Sequence, residues 1–270
     1  MTDHIHSVES TQSDRDDYVL TLETGCEGTE LPVWASQQNN PLNLDPDYPV
    51  DTVTLHTLDD VPGAFHLKHV VTPEECRHMI EFTERLGFHE DAAISLSRDV
   101  RHNQNVVWVA DDHSCDLIWR RIAPALNRML PGFPDLRAFT INGRFRFYRY
   151  DEGDFFKFHG DGNWPGSRVR DGKLIHDAYA GNISLMSVLV TLNSDFTGGA
   201  TRFRVNADDP FSPVQRHNRV NEVDVYTDAG DILCFPHGYH PQHWMHSGEP
   251  ILSGHKYILR TDLLFSELAE

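Results

Sequence analysis

Apolar residues along this chain change their spacing part-way through, and the change predicts two kinds of element. Behind Thr72-Pro73-Glu74-Glu75, the apolar residues Cys76, Met79, Ile80 and Leu86 recur at helical intervals. Thr72 has the side chain of an N-cap, Pro73 suits a first turn, Glu75 completes a capping box, and Gly87 stops the run. A second helix is predicted over residues 113–130, with Leu117, Ile118, Ile122, Leu126 and Met129 on one side and a kink at Pro124. After about Phe139 the apolar period falls to that of a strand. Strands are predicted over residues 144–150, 155–158, 184–192, 201–204, 223–226, 231–235 and 256–265, punctuated by Gly198-Gly199, Gly230 and Pro236-His237-Gly238. Helices followed by a run of short strands predict an α+β fold: a double-stranded β-helix (a jelly-roll, cupin-like barrel) braced by N-terminal helices.

Residues 1–60 lack this patterning. They are polar and rich in Asp and Glu, with prolines between Pro32 and Pro49, and read as an acidic N-terminal extension that wraps the domain or is partly disordered. The barrel domain is then expected over residues 61–270. The formal net charge of −18 disfavours a broad phosphate-binding surface, so neither nucleic acid nor an anionic membrane is expected as partner. The first 17 residues hold no apolar core of a signal peptide, and no apolar run approaches the length of a membrane span. Four widely spaced cysteines form no CxxC; Cys76, Cys115 and Cys234 lie on apolar patterns and read as small buried hydrophobes. A reduced, cytoplasmic protein is expected.

Candidate chemistry begins with histidine followed two residues later by a carboxylate. With 17 His and 41 acidic residues, about two or three such triplets arise by chance, so the bare motif carries little weight. His89-Glu90-Asp91 follows a predicted helix in a polar segment. His159-Gly160-Asp161 instead ends the predicted strand pair 144–150 and 155–158, and His246 follows 85 residues after Asp161. Two histidines and one carboxylate fill one face of an octahedral ion and leave the other open, as a redox-active Fe(II) needs to take a chelating cosubstrate and O₂. His246 is preferred to its neighbours because a short connection, residues 247–254, leads from it into the strand carrying Lys256. His237, His240 and His243 are expected to be loop residues without a metal role. Lys256, Ile258 and Arg260 share one face of their strand by alternation. A cation facing the barrel interior there needs an anion, and 2-oxoglutarate supplies one. Tyr150 ends the strand entering the site and is read as a phenol donor to the same carboxylate.

These residues resemble those of the prolyl-4-hydroxylase-like 2-oxoglutarate/Fe(II) dioxygenases. The likeness runs from about Phe65 to Phe265 and is strongest in three blocks: residues 149–161 (RYDEGDFFKFHGD), 189–203 (LVTLNSDFTGGATRF) and 246–262 (HSGEPILSGHKYILRTD). It implies that His159, Asp161 and His246 bind Fe(II). It further implies that Tyr150 and Lys256 hold 2-oxoglutarate, and that an aliphatic C–H is hydroxylated with release of succinate and CO₂, ascorbate being a candidate reductant. Two departures qualify it. Ser187 stands where relatives carry a Thr lining the cosubstrate pocket, and Arg260 competes with Lys256 as anchor. The substrate is expected to be a peptide side chain or an amino-acid-like small molecule, with Arg101, Asn103, Trp164 and His240 as candidate contacts. The polar segment 164–182 reads as a lid or an insertion. The competing reading is a non-catalytic jelly-roll barrel that binds a metal or small ligand structurally.

Overall fold

The strand Arg144–Tyr150 sorts its side chains by parity, and the sorting defines the two sides of a barrel. Phe145 and Phe147 enter a large core on one side, while Tyr148 and Tyr150 turn to the other with Ile251 and Ile258. The paired strand Lys256–Glu267 repeats the pattern, with Leu259, Leu263 and Phe265 in the large core and Ile258 opposite. The computed structural model describes residues 16–92, 97–126, 129–130 and 133–267. In it an eleven-stranded sheet carries, from one edge, Asp17–Thr24, Glu30–Ser36, Gln104–Val109, Arg144–Tyr150, Lys256–Glu267, Ile183–Thr191, Ile232–Pro236, Phe65–Lys68 and Thr54–Thr57. Phe133–Ile141 pairs with the far half of Lys256–Glu267. A five-stranded sheet faces it, in the order Val220–Val225, Thr201–Asn206, Met245–Gly248, Phe155–His159, Arg101–His102.

Helix α1 (Pro73–Leu86) starts at the expected capping box on Thr72 and Glu75. It buries Cys76, Met79 and Phe82 in the large core. Helix α2 (Asp112–Ile122) adds Cys115, Leu117, Ile118 and Ile122 to the same core. It stops well short of the expected Leu130, because Pro124 has no N–H to continue the ladder; it ends the helix rather than kinking it. Residues 129–130 form a short strand instead. Residues 16–57 of the acidic segment supply sheet and core: Glu30–Ser36 runs parallel to Gln104–Val109 through Val33 and Trp34, and Leu42, Leu44 and Val53 are buried. Residues 1–15 lie outside the described part. The segment 164–182 forms the hairpin Arg168–Arg170/Lys173–Ile175. It docks on α2 through ion pairs of Arg168 and Arg170 with Asp112.

One buried ion pair ties these parts together. Arg121 of α2 donates from Nη1 and Nη2 to the two Glu75 oxygens at 2.8 and 2.7 Å, and to the carbonyls of Val70 and Asp45 at 2.9 and 2.8 Å. Glu75 also caps α1 by accepting from the Thr72 N–H. Burial opposes the Glu75 charge, but Arg121 and the backbone donors outweigh it and hold the carboxyl below its ordinary range. Removing Arg121 leaves that carboxylate buried and unpaired. Arg121→Met should therefore lower unfolding free energy by about 3–5 kcal/mol at pH 7 in urea titrations. Because the folded Glu75 titrates below its unfolded value, its contribution is full above the ordinary glutamate range and fades as pH falls through the folded one. The wild-type advantage should shrink accordingly in acid.

Candidate active site

An antiparallel pairing creates the site. Phe155–His159 and Met245–Gly248 are neighbours in the smaller sheet, with His159 directly across from His246. Residues opposite one another in such a pair project to the same side, and the two imidazole centroids stand 4.2 Å apart. Asp161, two residues past the strand end, sits with its carboxylate 3.7 Å from each Nε2. One ligand atom from each of the three residues falls within 4.8 Å of the others.

Each imidazole is fixed in the tautomer a metal requires. His159 Nδ1 lies 2.8 Å from the Lys157 carbonyl and His246 Nδ1 3.3 Å from that of Trp244. A carbonyl only accepts, so each Nδ1 carries the proton and each Nε2 presents a lone pair. Phe156 stacks on the His159 ring at 3.5 Å, and Phe235 packs at 4.6 Å against that of His246. Burial, aided by His246, pushes His159 down to about 3, and burial lowers His246 too. Burial disfavours the Asp161 charge, but Arg260 and the two histidines outweigh it and hold the carboxyl well below the usual range. All three groups are thus deprotonated near neutrality.

Asp161 is oriented by a relay that runs one way. Ser187 Oγ donates to Asp161 Oδ2 at 2.6 Å and meets His237 Nδ1 at 2.8 Å. Having given its only proton to Asp161, Ser187 must accept from His237, so His237 Nε2 accepts from Ser184 Oγ at 3.0 Å. Ser184 Oγ in turn accepts the Trp164 N–H at 2.8 Å. Ser187, expected in the cosubstrate pocket, therefore serves the carboxylate. His237 and His240 are each 1 % exposed. His237 lies past a strand end and outside the triad, as expected of a loop residue, yet it is buried and its partners are strand residues distant in sequence.

A pocket opens from the triad, walled by Tyr148, Tyr150, Leu189, Ile251 and Ile258, with Lys256 and Arg260 on its floor strand. Lys256 lies across from Tyr150 in the ladder. Its Nζ donates to the Gly199 carbonyl at 2.6 Å, and no carboxylate among the described residues forms an ion pair with it. Burial pushes this amine down to about 8. Gly199 has φ +64°, and a Cβ there would lie 2.5 Å from Ile251 and 3.3 Å from Lys256, so only glycine lets the turn approach. Burial raises the Tyr150 phenol to about 12, which keeps it a proton donor. Arg260 stands closer to the metal ligands, its Nη2 3.2 Å from Asp161 Oδ1.

The expected substrate contacts divide. The Arg101 guanidinium lies over the rings of Tyr148 at 4.6 Å and Phe156 at 5.4 Å, and donates from Nε to Asn103 at 2.9 Å, so both flank the pocket wall. Trp164 lies under Arg146 at 4.4 Å, and His240 Nδ1 accepts the Gln242 N–H at 3.0 Å. Neither Trp164 nor His240 lines the pocket, nor does any residue of the 164–182 hairpin.

The sequence matches no protein-family profile and no curated protein. Solved structures do resemble this one. A Trichoplax adhaerens prolyl hydroxylase, in complex with a hypoxia inducible factor oxygen degradation domain peptide fragment, superposes with TM-score 0.51 at 14 % identity, over 74 % of this chain and 83 % of that one. The viral collagen prolyl hydroxylase of Paramecium Bursaria Chlorella virus-1, in its 2-oxoglutarate complex, gives 0.46 at 14 % identity, over 78 % and 99 %. HygX from Streptomyces hygroscopicus, with nickel, 2-oxoglutarate and hygromycin B bound, gives 0.44 at 15 % identity, over 77 % and 84 %. The likeness to the Trichoplax protein establishes the fold as the double-stranded β-helix of these oxygenases.

Proposed function

We propose that the chain is an Fe(II)- and 2-oxoglutarate-dependent dioxygenase that hydroxylates an aliphatic C–H of a peptide side chain or an amino-acid-like small molecule. One observation carries the reading: a three-ligand face opens onto a pocket that ends at Lys256, a partly buried cation with no carboxylate partner among the described residues. The structural-metal alternative needs a fourth protein ligand closing the site, and none joins the triad among the described residues. The donor set fits a hard-to-borderline divalent ion: two neutral imidazoles and one carboxylate whose remaining lone pairs are held by Ser187 and Arg260. When bound, Fe(II) with 2-oxoglutarate and O₂ supplies the oxidising power for C–H hydroxylation, with succinate and CO₂ as by-products.

The chain's own residues bind and orient. A cosubstrate that chelates through its keto acid end carries its second carboxylate two methylenes further on. Arg260, in contact with the metal carboxylate itself, is too close to meet it. Lys256 lies four residues along the same strand, roughly 13 Å of backbone away, and its flexible stem reaches back into the pocket. Tyr150, directly across the ladder, adds a neutral phenol donor. Ile251, Ile258 and Leu189 keep the pocket wall apolar, which strengthens the attraction between the ammonium and its carboxylate.

Anaerobic addition of Fe(II) and 2-oxoglutarate to the apoprotein should produce the weak visible metal-to-ligand band. Asp161→Ala should abolish it, and Lys256→Ala should raise the 2-oxoglutarate concentration needed. A wild type with no band that binds Zn(II) tightly would overturn the reading. Ser187→Ala removes the donor that aims Asp161 and should weaken metal binding about 10–100-fold in chelator competition. Lys256 attracts the cosubstrate only while protonated. Affinity for 2-oxoglutarate should thus be flat below pH 7, then weaken as pH rises past about 8, and Lys256→Arg should remove that slope.

A further inference from the structure

Three arginines gather where the overall charge of −18 would least suggest them. Arg260 and Arg146 lie directly across from one another in the ladder. Both are inside the barrel, with side chains 12 % and 5 % exposed. Like charges opposite each other destabilise a sheet, and a buried guanidinium costs more still unless its donors are met. They are met only in part from within, by the nearby carboxylates of Asp161 and Asp262 and by Tyr148. Among the described residues, Arg146 Nη1 and Nη2 and Arg260 Nε and Nη2 have no hydrogen-bond partner, and neither does Arg101 Nη2 nearby. Asp262 lies between the pair, 3.8 Å from Arg146 and 3.5 Å from Arg260, without hydrogen-bonding either. The other carboxylate beside Arg260 is Asp161, 3.2 Å from Nη2, and its charge would be shared with a bound metal.

We propose that the substrate carries a carboxylate and that Arg260 receives it beside the metal, with Arg146 behind and Tyr148 alongside. This rests on the oxygenase reading above and adds the class of substrate. Arg260 is the member of the trio that lines the pocket, together with Tyr148. The local field agrees: burial raises the Tyr148 phenol, yet Arg101, Arg260 and Arg146 outweigh it and bring the phenol below its ordinary value. Lys256 already provides for the distal end of 2-oxoglutarate, so the unmet donors of Arg260 are left for a second anion. Glu249 on the opposite wall does not supply it, being paired with Arg202 at 2.8 Å and with Ser247 at 2.9 Å. A free amino acid, or a peptide presenting an acidic group next to its target carbon, has the required chemistry.

The test uses the anaerobic Fe(II)·2-oxoglutarate protein, with short fatty acids and L-amino acids as probes, each beside its own carboxamide. Binding is followed as a shift of the visible band. The wild type should bind at least one acid about tenfold or more tightly than the matching amide, because a site built for a charged group rejects an analogue lacking it. With Fe(II) and 2-oxoglutarate raised to saturation in each protein, so that metal affinity lost with the Asp161 contact is made up, Arg260→Gln should erase that preference and Arg260→Lys should restore part of it. Formation of the band reports a folded, loaded site in each variant. Acids and amides binding equally, or no acid binding, would overturn the proposal. So would loss of the band in both Arg260 variants, which would assign Arg260 to the metal or cosubstrate. A wild type that forms no band at all fails the oxygenase reading instead.

Discussion

The register that sets His159 opposite His246 is the constraint on which the rest of the site depends. The two strands are joined by 85 residues of intervening chain, and nothing local to either one fixes their alignment. A slip of one residue would turn His246 out of the barrel, because side chains alternate faces. The register is held from both sides. Thr201–Asn206 pairs with Met245–Gly248 and sets Phe203 against His246, while Arg101–His102 pairs with the other edge of Phe155–His159. Phe203, Phe235 and Trp244 then fill the space behind the His246 ring, so a misaligned strand would lose buried aromatic contact as well as hydrogen bonds.

Charge inside this barrel is arranged by how each group is answered. Arg121 is met by four acceptors and serves architecture. Asp161 is met by the Ser187 relay on one oxygen and by Arg260 on the other, which holds it ionised and aimed. Each bond in the relay polarises the next, so a backbone N–H at Trp164 contributes to the negative end of Asp161. Lys256, Arg260 and Arg146 are answered incompletely. A fold that needed only stability could bury apolar residues at those positions, since interior cations whose donors are not all met are costly. Lys256 and Arg260 line one pocket and Arg146 lies across the ladder from Arg260, which is the arrangement behind the anion site proposed above.

Much of this was legible in the sequence where local pattern and fold agree. The Thr72–Glu75 capping box, the alternation of Arg144–Tyr150 and the face shared by Lys256 and Arg260 all follow from short-range rules. What escaped depends on contacts between distant segments. Met245–Gly248 has no apolar alternation and is a strand only because two other strands hold it. The strands before α1 were hidden by an acidic composition, although Leu31, Val33 and Ala35 alternate within Glu30–Ser36 and offered a signal. His237 looked like loop polarity; its burial comes from Ser184 and Ser187, fifty-three and fifty residues away. Pro124 reads as a kink in a helix whose apolar spacing continues past it, yet beyond α2 the chain instead forms a short strand.

The strand Lys256–Glu267 lays out the polarity of the pocket position by position. Inward positions recur every second residue, about 6.6–6.8 Å apart along the strand, and each faces a fixed rung of Arg144–Tyr150. Lys256 meets Tyr150, Ile258 meets Tyr148, and Arg260 meets Arg146, so polarity along the pocket is written as a sequence of rungs. Changing Ile258 would alter the apolar floor between the two cations while leaving both in register. Changing Arg260 would remove the cation beside Asp161 while leaving the Lys256 rung intact. Selectivity in such a barrel is therefore adjustable one rung at a time, and the His159–His246 pairing on the opposite sheet need not move.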